Sequence, residues 1–140
     1  MAVTGGCLCG KVRYSIDAEV PMVVRACWCR VCQYLGAGSG TVNAVFPKAN
    51  MQLTGALGVH DGIADSGAHM HRSFCPSCGT ALFSEADERP LAIVVRVGSL
   101  DEPKRFAPQM TIWTDAAPQW ACFDPELPSA PGMAAMPPKK

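Results

Sequence analysis

Apolar and polar positions alternate in short runs along most of this chain. Val12, Tyr14 and Ile16 alternate with Lys11, Arg13 and Ser15, which predicts a half-buried strand over 10–16. Residues 22–26 read as a second, more buried strand that delivers the chain into Cys27. Val42, Ala44 and Phe46 resume the alternation over 41–46, and Pro47 stops it. Short strands are expected at 51–54 and 57–60. Residues 70–74 and 80–84 read as a hairpin with a cysteine pair at its tip. Leu-Ala-Ile-Val-Val-Arg-Val at 91–97 is nearly continuous in β-branched residues, so it is expected at the centre of a sheet with both faces largely covered. A last strand is expected at 110–114. Residues 34–40 hold three glycines and read as a loop, or as one or two helical turns running into a loop. No long amphipathic helix is visible. The pattern predicts a mainly β domain of many short strands. One domain over 1–128 is expected, followed by a Pro-rich tail over 129–140 that straps the surface or is disordered.

Composition narrows the classes. With 49% hydrophobic and 17% charged residues, the chain can fill a real core. Its 12 basic and 12 acidic residues balance, so no basic excess points to nucleic acid. No apolar run reaches the ~20 residues of a membrane span. Residues 1–6 show neither the basic nor the apolar region of a signal peptide. A cytoplasmic location is therefore expected, where thiols stay reduced. Eight cysteines in such a compartment argue for metal rather than disulfides.

The cysteines fall in three clusters. Phe74-Cys75-Pro76-Ser77-Cys78-Gly79 is a turn that can grip one ion with two thiolates. Pro76 pre-sets the turn, and Gly79 can take the positive φ that closes it. Two ligands do not complete a tetrahedral zinc site. The second pair comes from Cys7-Leu8-Cys9-Gly10 or from Cys27-Trp28-Cys29-Arg30-Val31-Cys32. Cys7, Cys9, Cys75 and Cys78 together would supply the four thiolates of a structural zinc, closing a long loop. An extended backbone would point both Cys7 and Cys9 sulfurs to one side. Cys27, Cys29 and Cys32 offer three thiolates, and three ligands with one open position make a catalytic or ligand-binding zinc. Two other readings stay open. A fourth ligand from His60, His69, His71 or Cys122 would close the site, or the site is empty or oxidised.

Lys11, Arg13, Arg25, Arg30 and Arg72 crowd these clusters. They balance thiolate charge or face solvent; alternatively, Arg25 and Arg30 bind carboxylates of an anionic thiol by charge-assisted hydrogen bonds. Trp28, Trp113 and Trp120 read as packing residues. Cys122 reads as a spare thiol.

Gly-Gly-Cys-Leu-Cys-Gly-Lys-Val-Arg-Tyr at 5–14, Cys-x-Cys-x-x-Cys at 27–32, and Arg-Ser-Phe-Cys-Pro-Ser-Cys-Gly-Thr-Ala-Leu-Phe at 72–83 together resemble the glutathione-dependent formaldehyde-activating enzyme family, which includes centromere protein V. Val-Gly-Ser-Leu-Asp at 97–101 and Ile112-Trp113 with Pro118-Gln119-Trp120 also resemble it, so the likeness spans roughly 3–128. The resemblance implies a β-tent fold of small antiparallel sheets with zinc knuckles. It implies two zinc ions per chain: a structural one on Cys7, Cys9, Cys75 and Cys78, and a functional one on Cys27, Cys29 and Cys32. It implies a small thiol such as glutathione as partner, and a monomer or homodimer. In the name-giving members glutathione adds to formaldehyde to give S-hydroxymethylglutathione, a carbon–sulfur lyase reaction. The alternative is a zinc-stabilised binding module without catalysis.

The chain also departs from the family. The family commonly reads Cys-His-Cys-Ser-x-Cys-Arg at the second cluster, where Trp28, Arg30 and Gln33 stand here. A histidine often precedes Ile-Trp, and here it is Thr111. The metal ligands carry over, and the substrate does not.

Overall fold

A computed structural model describes residues 2–133, so the end of the expected tail lies outside the described residues. Ten strands and one short helix follow in chain order: β1 (Val3–Gly6), β2 (Arg13–Ile16), β3 (Val23–Cys27), α1 (Arg30–Leu35), β4 (Thr41–Pro47), β5 (Met51–Thr54), β6 (Gly58–Ile63), β7 (His69–Phe74), β8 (Ala81–Ala86), β9 (Ala92–Arg96) and β10 (Met110–Ile112). They form a three-stranded sheet, β1-β2-β5, and a seven-stranded sheet, β10-β3-β4-β9-β8-β7-β6. The domain is mainly β, as the alternation predicts. One pairing departs from the antiparallel expectation: β10 runs parallel to β3, with Ile112 opposite Cys27.

The core fills the space between the two sheets. Val12, just before β2, and Tyr14 and Ile16 of β2 pack with Phe46, Leu82, Phe83 and Val95 of the large sheet. Burying each such side chain stabilises the fold by about 1.5–3 kcal/mol. Tyr14 meets Phe83 edge to face at 4.8 Å. Its hydroxyl shares a 2.7 Å hydrogen bond with Ser99 Oγ, so its polar end is satisfied inside. Burial pushes the Tyr14 phenol up to about 12.

Several strand expectations need correction, and one strand was not expected. The predicted strand at 10–16 begins only at Arg13, because 7–10 is a turn: Gly10 N–H donates to Cys7 O at 3.1 Å, and Gly10 has φ +81°. Cys7 and Cys9 therefore sit on a turn and not on extended backbone. β1 pairs with β2 but carries two glycines in four residues, too little side chain to make an alternation visible. In β4, Asn43 through Phe46 are all buried, so both faces are covered and the alternation is lost. β9 is central, but only Ile93 and Val95 face the core; Val94 and Arg96 line a cavity on the other face.

The segment beyond residue 127 lies beside β10. Thr111 N–H donates to Pro128 O at 3.0 Å, and Ala130 N–H donates to Thr111 O at 3.0 Å. Trp113 N–H donates to Gly132 O at 3.2 Å. This strap covers an edge that would otherwise expose unpaired backbone groups.

Two predictions follow from this packing. A Cβ on Gly5 would collide with the Tyr14 hydroxyl and the Ser99 carbonyl. Gly5→Ala should cost about 1–3 kcal/mol in chemical denaturation, and unchanged stability would contradict the fit. On the β6–β7 hairpin, His71 Nδ1 pairs with Asp61 at 2.6 Å and Nε2 with Asp87 at 2.7 Å. The bond to Asp61, then that to Asp87, raises the His71 pKa. A raised pKa stabilises the fold below the unfolded value of about 6.5, and the gain fades as pH rises through the folded value. The stability difference between the protein and His71→Gln should thus be larger below about pH 6.5 than near about pH 8; a pH-independent difference would contradict the pairing.

Candidate metal centres

The first cluster joins two tight turns. Cys7 and Cys9 come from the β1–β2 turn, and Cys75 and Cys78 from the tip between β7 and β8. Their four sulfurs lie within 4.8 Å of one another. The Cys7–Cys9 separation is 3.5 Å and the Cys9–Cys75 separation 3.7 Å. Tetrahedral zinc–thiolate bonds of about 2.3 Å place sulfurs roughly 3.8 Å apart, so the set fits the ion. Gly79, at φ +77°, closes the second turn by donating to Cys75 O at 2.8 Å. Backbone N–H groups aim at the sulfurs: Val12 N–H donates to Cys7 Sγ at 3.2 Å. The Thr80 hydroxyl bonds Cys78 Sγ at 3.1 Å and, with backbone donors, draws that thiol down to about 5. Although the Lys11 backbone N–H favours a Cys9 thiolate, neighbouring Cys7 drives that thiol up to about 11. Four thiols this close ionise together only around a cation.

The second cluster is held by local structure. Cys27 ends β3, Cys29 caps α1, and Cys32 lies in its first turn. Cys29 Sγ accepts from Cys32 N–H at 3.3 Å, so one sulfur does the work of an N-cap. The three sulfurs lie within 4.8 Å of one another. Hydrogen bonds from Cys27 and Cys29 pull Cys32 far below the usual thiol range, while Cys29 and Cys32 push Cys27 far above it. One charge shared by three thiols is again the signature of a place for a cation. An all-sulfur set of this spacing fits zinc.

Among the described residues, no histidine, acid or further cysteine joins this trio. His69 bonds Glu88 at 2.7 Å, and His71 is held by Asp61 and Asp87. His60 is exposed on β6, and Cys122 is exposed with its sulfur beside the Trp120 carbonyl. The expected closing ligands are therefore elsewhere. A cavity of about 90 Å³ opens beside the trio instead, walled by Val94, Ile112 and Trp113 and by Arg25, Arg72, Arg89 and Arg96.

These positions match a family beyond the cysteine spacing alone. The sequence pattern of the glutathione-dependent formaldehyde-activating enzyme family fits residues 2–116. This chain belongs to that family. A protein of Halomonas elongata named "Putative glutathione-dependent formaldehyde-activating enzyme" is 28% identical over 90 residues, which are 59% of this chain and 55% of that protein. The chain thus spans about half the length of that curated relative. The crystal structure of a Rhodobacter sphaeroides protein shares the fold, with a TM-score of 0.56 and 22% identity over 70% of this chain and 87% of that one. The family match contains both cysteine clusters and the four cavity arginines; Cys122 and Met133 lie beyond it.

Other candidate residues divide. Arg25 lines the cavity, but Arg30 does not: its guanidinium donates to Gln33 Oε1 at 2.6 Å and covers the Tyr34 ring at 5.1 Å. Lys11 donates to Ser77 at 3.3 Å, and Arg13 forks onto Asp101. Trp28 packs as expected, edge to face with Phe123 at 5.7 Å. Trp113 is instead a cavity wall at φ +61°, and Trp120 is exposed. A bulky residue held in the left-handed region is strained by about 1–2 kcal/mol, which marks a position fixed by its surroundings. Arg89, Arg96 and Trp113 were not read as site residues from sequence. The one available signal was Arg96, a lone charge inside the apolar run at 91–97.

A thiophilic divalent ion should shield seven cysteines and leave Cys122. Mass spectrometry after brief exposure to an aromatic disulfide should find one modified thiol in the metal-loaded chain and several after chelation. Rapid modification of Cys29 or Cys78 in the loaded chain would contradict the assignment.

Proposed function

We propose that this protein makes and breaks a carbon–sulfur bond between a small thiol of the glutathione class and formaldehyde or another aldehyde. The observation that carries this reading is the three-thiolate cluster of Cys27, Cys29 and Cys32, which opens on a cavity and has no fourth ligand among the described residues. In this reading zinc occupies both clusters. At Cys7, Cys9, Cys75 and Cys78 it is structural and pins the β1–β2 turn to the β7–β8 tip. Cys27, Cys29 and Cys32 would hold the second ion, which would supply the Lewis acidity that lowers the pKa of a bound thiol.

The chain's own residues do the rest. Cys32 N–H and the start of α1 hold the Cys29 sulfur in place. Ile112, Val94 and Trp113 wall the cavity and exclude water from the reacting atoms. The thiol sulfur adds to the aldehyde carbon, the carbonyl π bond opens onto oxygen, and the thiol proton ends on that oxygen. Among the described residues Asp65 is the only carboxylate lining the cavity, and in this reading it carries that proton. Arg30 N–H donates to Asp65 Oδ2 at 3.2 Å and fixes it at the rim.

Full-length protein should bind two zinc ions, and Cys29→Ala should bind one. The variant should lose at least about a hundredfold in adduct formation from glutathione and formaldehyde, followed by carbon NMR. Two ions and full activity in Cys29→Ala would remove the second site. One ion in the intact chain, with no response to thiol, would favour a binding module without catalysis.

A further inference from the structure

The cavity beside the three cysteines carries more positive charge than its own fold requires. Arg25 reaches it from β3, Arg72 from β7, Arg89 from the turn after β8, and Arg96 from β9. Among the described residues Asp65 is the only acid that lines it. Three thiolates around a divalent ion leave one net negative charge. Leaving Arg25 aside, Arg72, Arg89 and Arg96 face these two negative charges, and positive charge remains in excess.

Among the described residues, Arg72 and Arg89 form none of the ion pairs seen elsewhere on this surface, such as Arg13 with Asp101 or Arg105 with Glu102. Arg96 is half-buried at the end of β9. It donates to Asn43 Oδ1 through Nη1, while its Nε is sealed from solvent and has no hydrogen-bond partner. A buried donor left unmade costs about 1–3 kcal/mol, and more when charged. Burial disfavours the Arg96 charge, Cys32 favours it, and nearby Arg72 disfavours it again. Like charges gathered around one cavity, with one guanidinium donor left unmade, suit a ligand that brings its own acid groups.

We propose that this cavity is a carboxylate site, in which Arg72, Arg89 and Arg96 hold two acid groups of the molecule that reacts at Cys27, Cys29 and Cys32. What reacts there rests on the carbon–sulfur reading above; what binds rests on the arginines. The site moves ligand recognition from Arg30, which lies outside the cavity, to residues on β7, on the turn after β8 and on β9. The acid groups belong to the thiol, to the carbonyl partner, or one to each. Formaldehyde has no acid group and by itself leaves Arg96 unused.

Malonate is a suitable probe, with two acid groups and neither a thiol nor an aldehyde. Titrated calorimetrically into the metal-loaded full chain, it should bind about tenfold or more tightly than acetate. Its affinity should fall at least about tenfold in Arg72→Gln and in Arg96→Gln. Arg72→Gln and Arg89→Gln keep the test intact if Arg96→Gln fails to fold. Unchanged malonate affinity in both of these rim variants would overturn the site. Turnover then assigns the acid groups. A rise in KM in Arg72→Gln for glutathione but not cysteamine places one on the thiol. A rise for glyoxylate but not formaldehyde places one on the carbonyl partner. No difference in either pair overturns the proposal. Malonate binding retained in Cys29→Ala, alongside no carbon–sulfur chemistry in the intact chain, would remove the proposed reaction and leave the carboxylate site standing.

Discussion

Thiolate sulfurs repel one another, and this fold places them in contact twice. Cys7, Cys9, Cys75 and Cys78 converge from turns far apart in sequence, and Cys27, Cys29 and Cys32 converge within one strand end and one helical turn. In the absence of a cation each cluster holds its charge on few sulfurs: Cys32 is pulled far down while Cys27 is driven far up. A divalent ion removes that conflict and lets all the sulfurs ionise. Much else in the structure follows from meeting this constraint. Gly10 and Gly79 take positive φ to shape the two turns of the first cluster. Val12 and Cys32 direct backbone N–H groups at sulfur.

The two clusters differ in what surrounds them. The four-sulfur cluster is complete and sits where the small sheet meets the β7–β8 tip, next to the core through Cys7 and Cys75. The three-sulfur cluster gathers three ligands among the described residues and borders a cavity on the far face of β9. β9 links the two sides: Ile93 and Val95 fill the core, and Val94 and Arg96 line the cavity. The period-2 geometry of one strand thus separates stability from chemistry.

The cysteine groupings were legible because metal chelation imposes its own short spacings on the chain. The alternation of Val12, Tyr14 and Ile16 was legible because that strand has one wet face. β1 was hidden because its glycines carry no pattern. β9 was placed centrally for a sound reason, its β-branched run, but its cavity face could not be told from a second core face without the sheet order. The arginine cluster was hidden for a topological reason. Arg25, Arg72, Arg89 and Arg96 come from separate strands and turns and meet only when the large sheet assembles. Arg30, adjacent to the cysteines in sequence, points away to Gln33 and Tyr34. Nearness in sequence predicted the ligand cluster and misled about its charged surroundings.

The central claim is one closed and one open thiolate site in the same domain. Zinc-edge X-ray absorption on the loaded full chain tests it most directly. The average number of sulfurs per zinc should lie between three and four before thiol is added, and should rise to four with glutathione. Four sulfurs per zinc from the start, unmoved by glutathione, would contradict the open site.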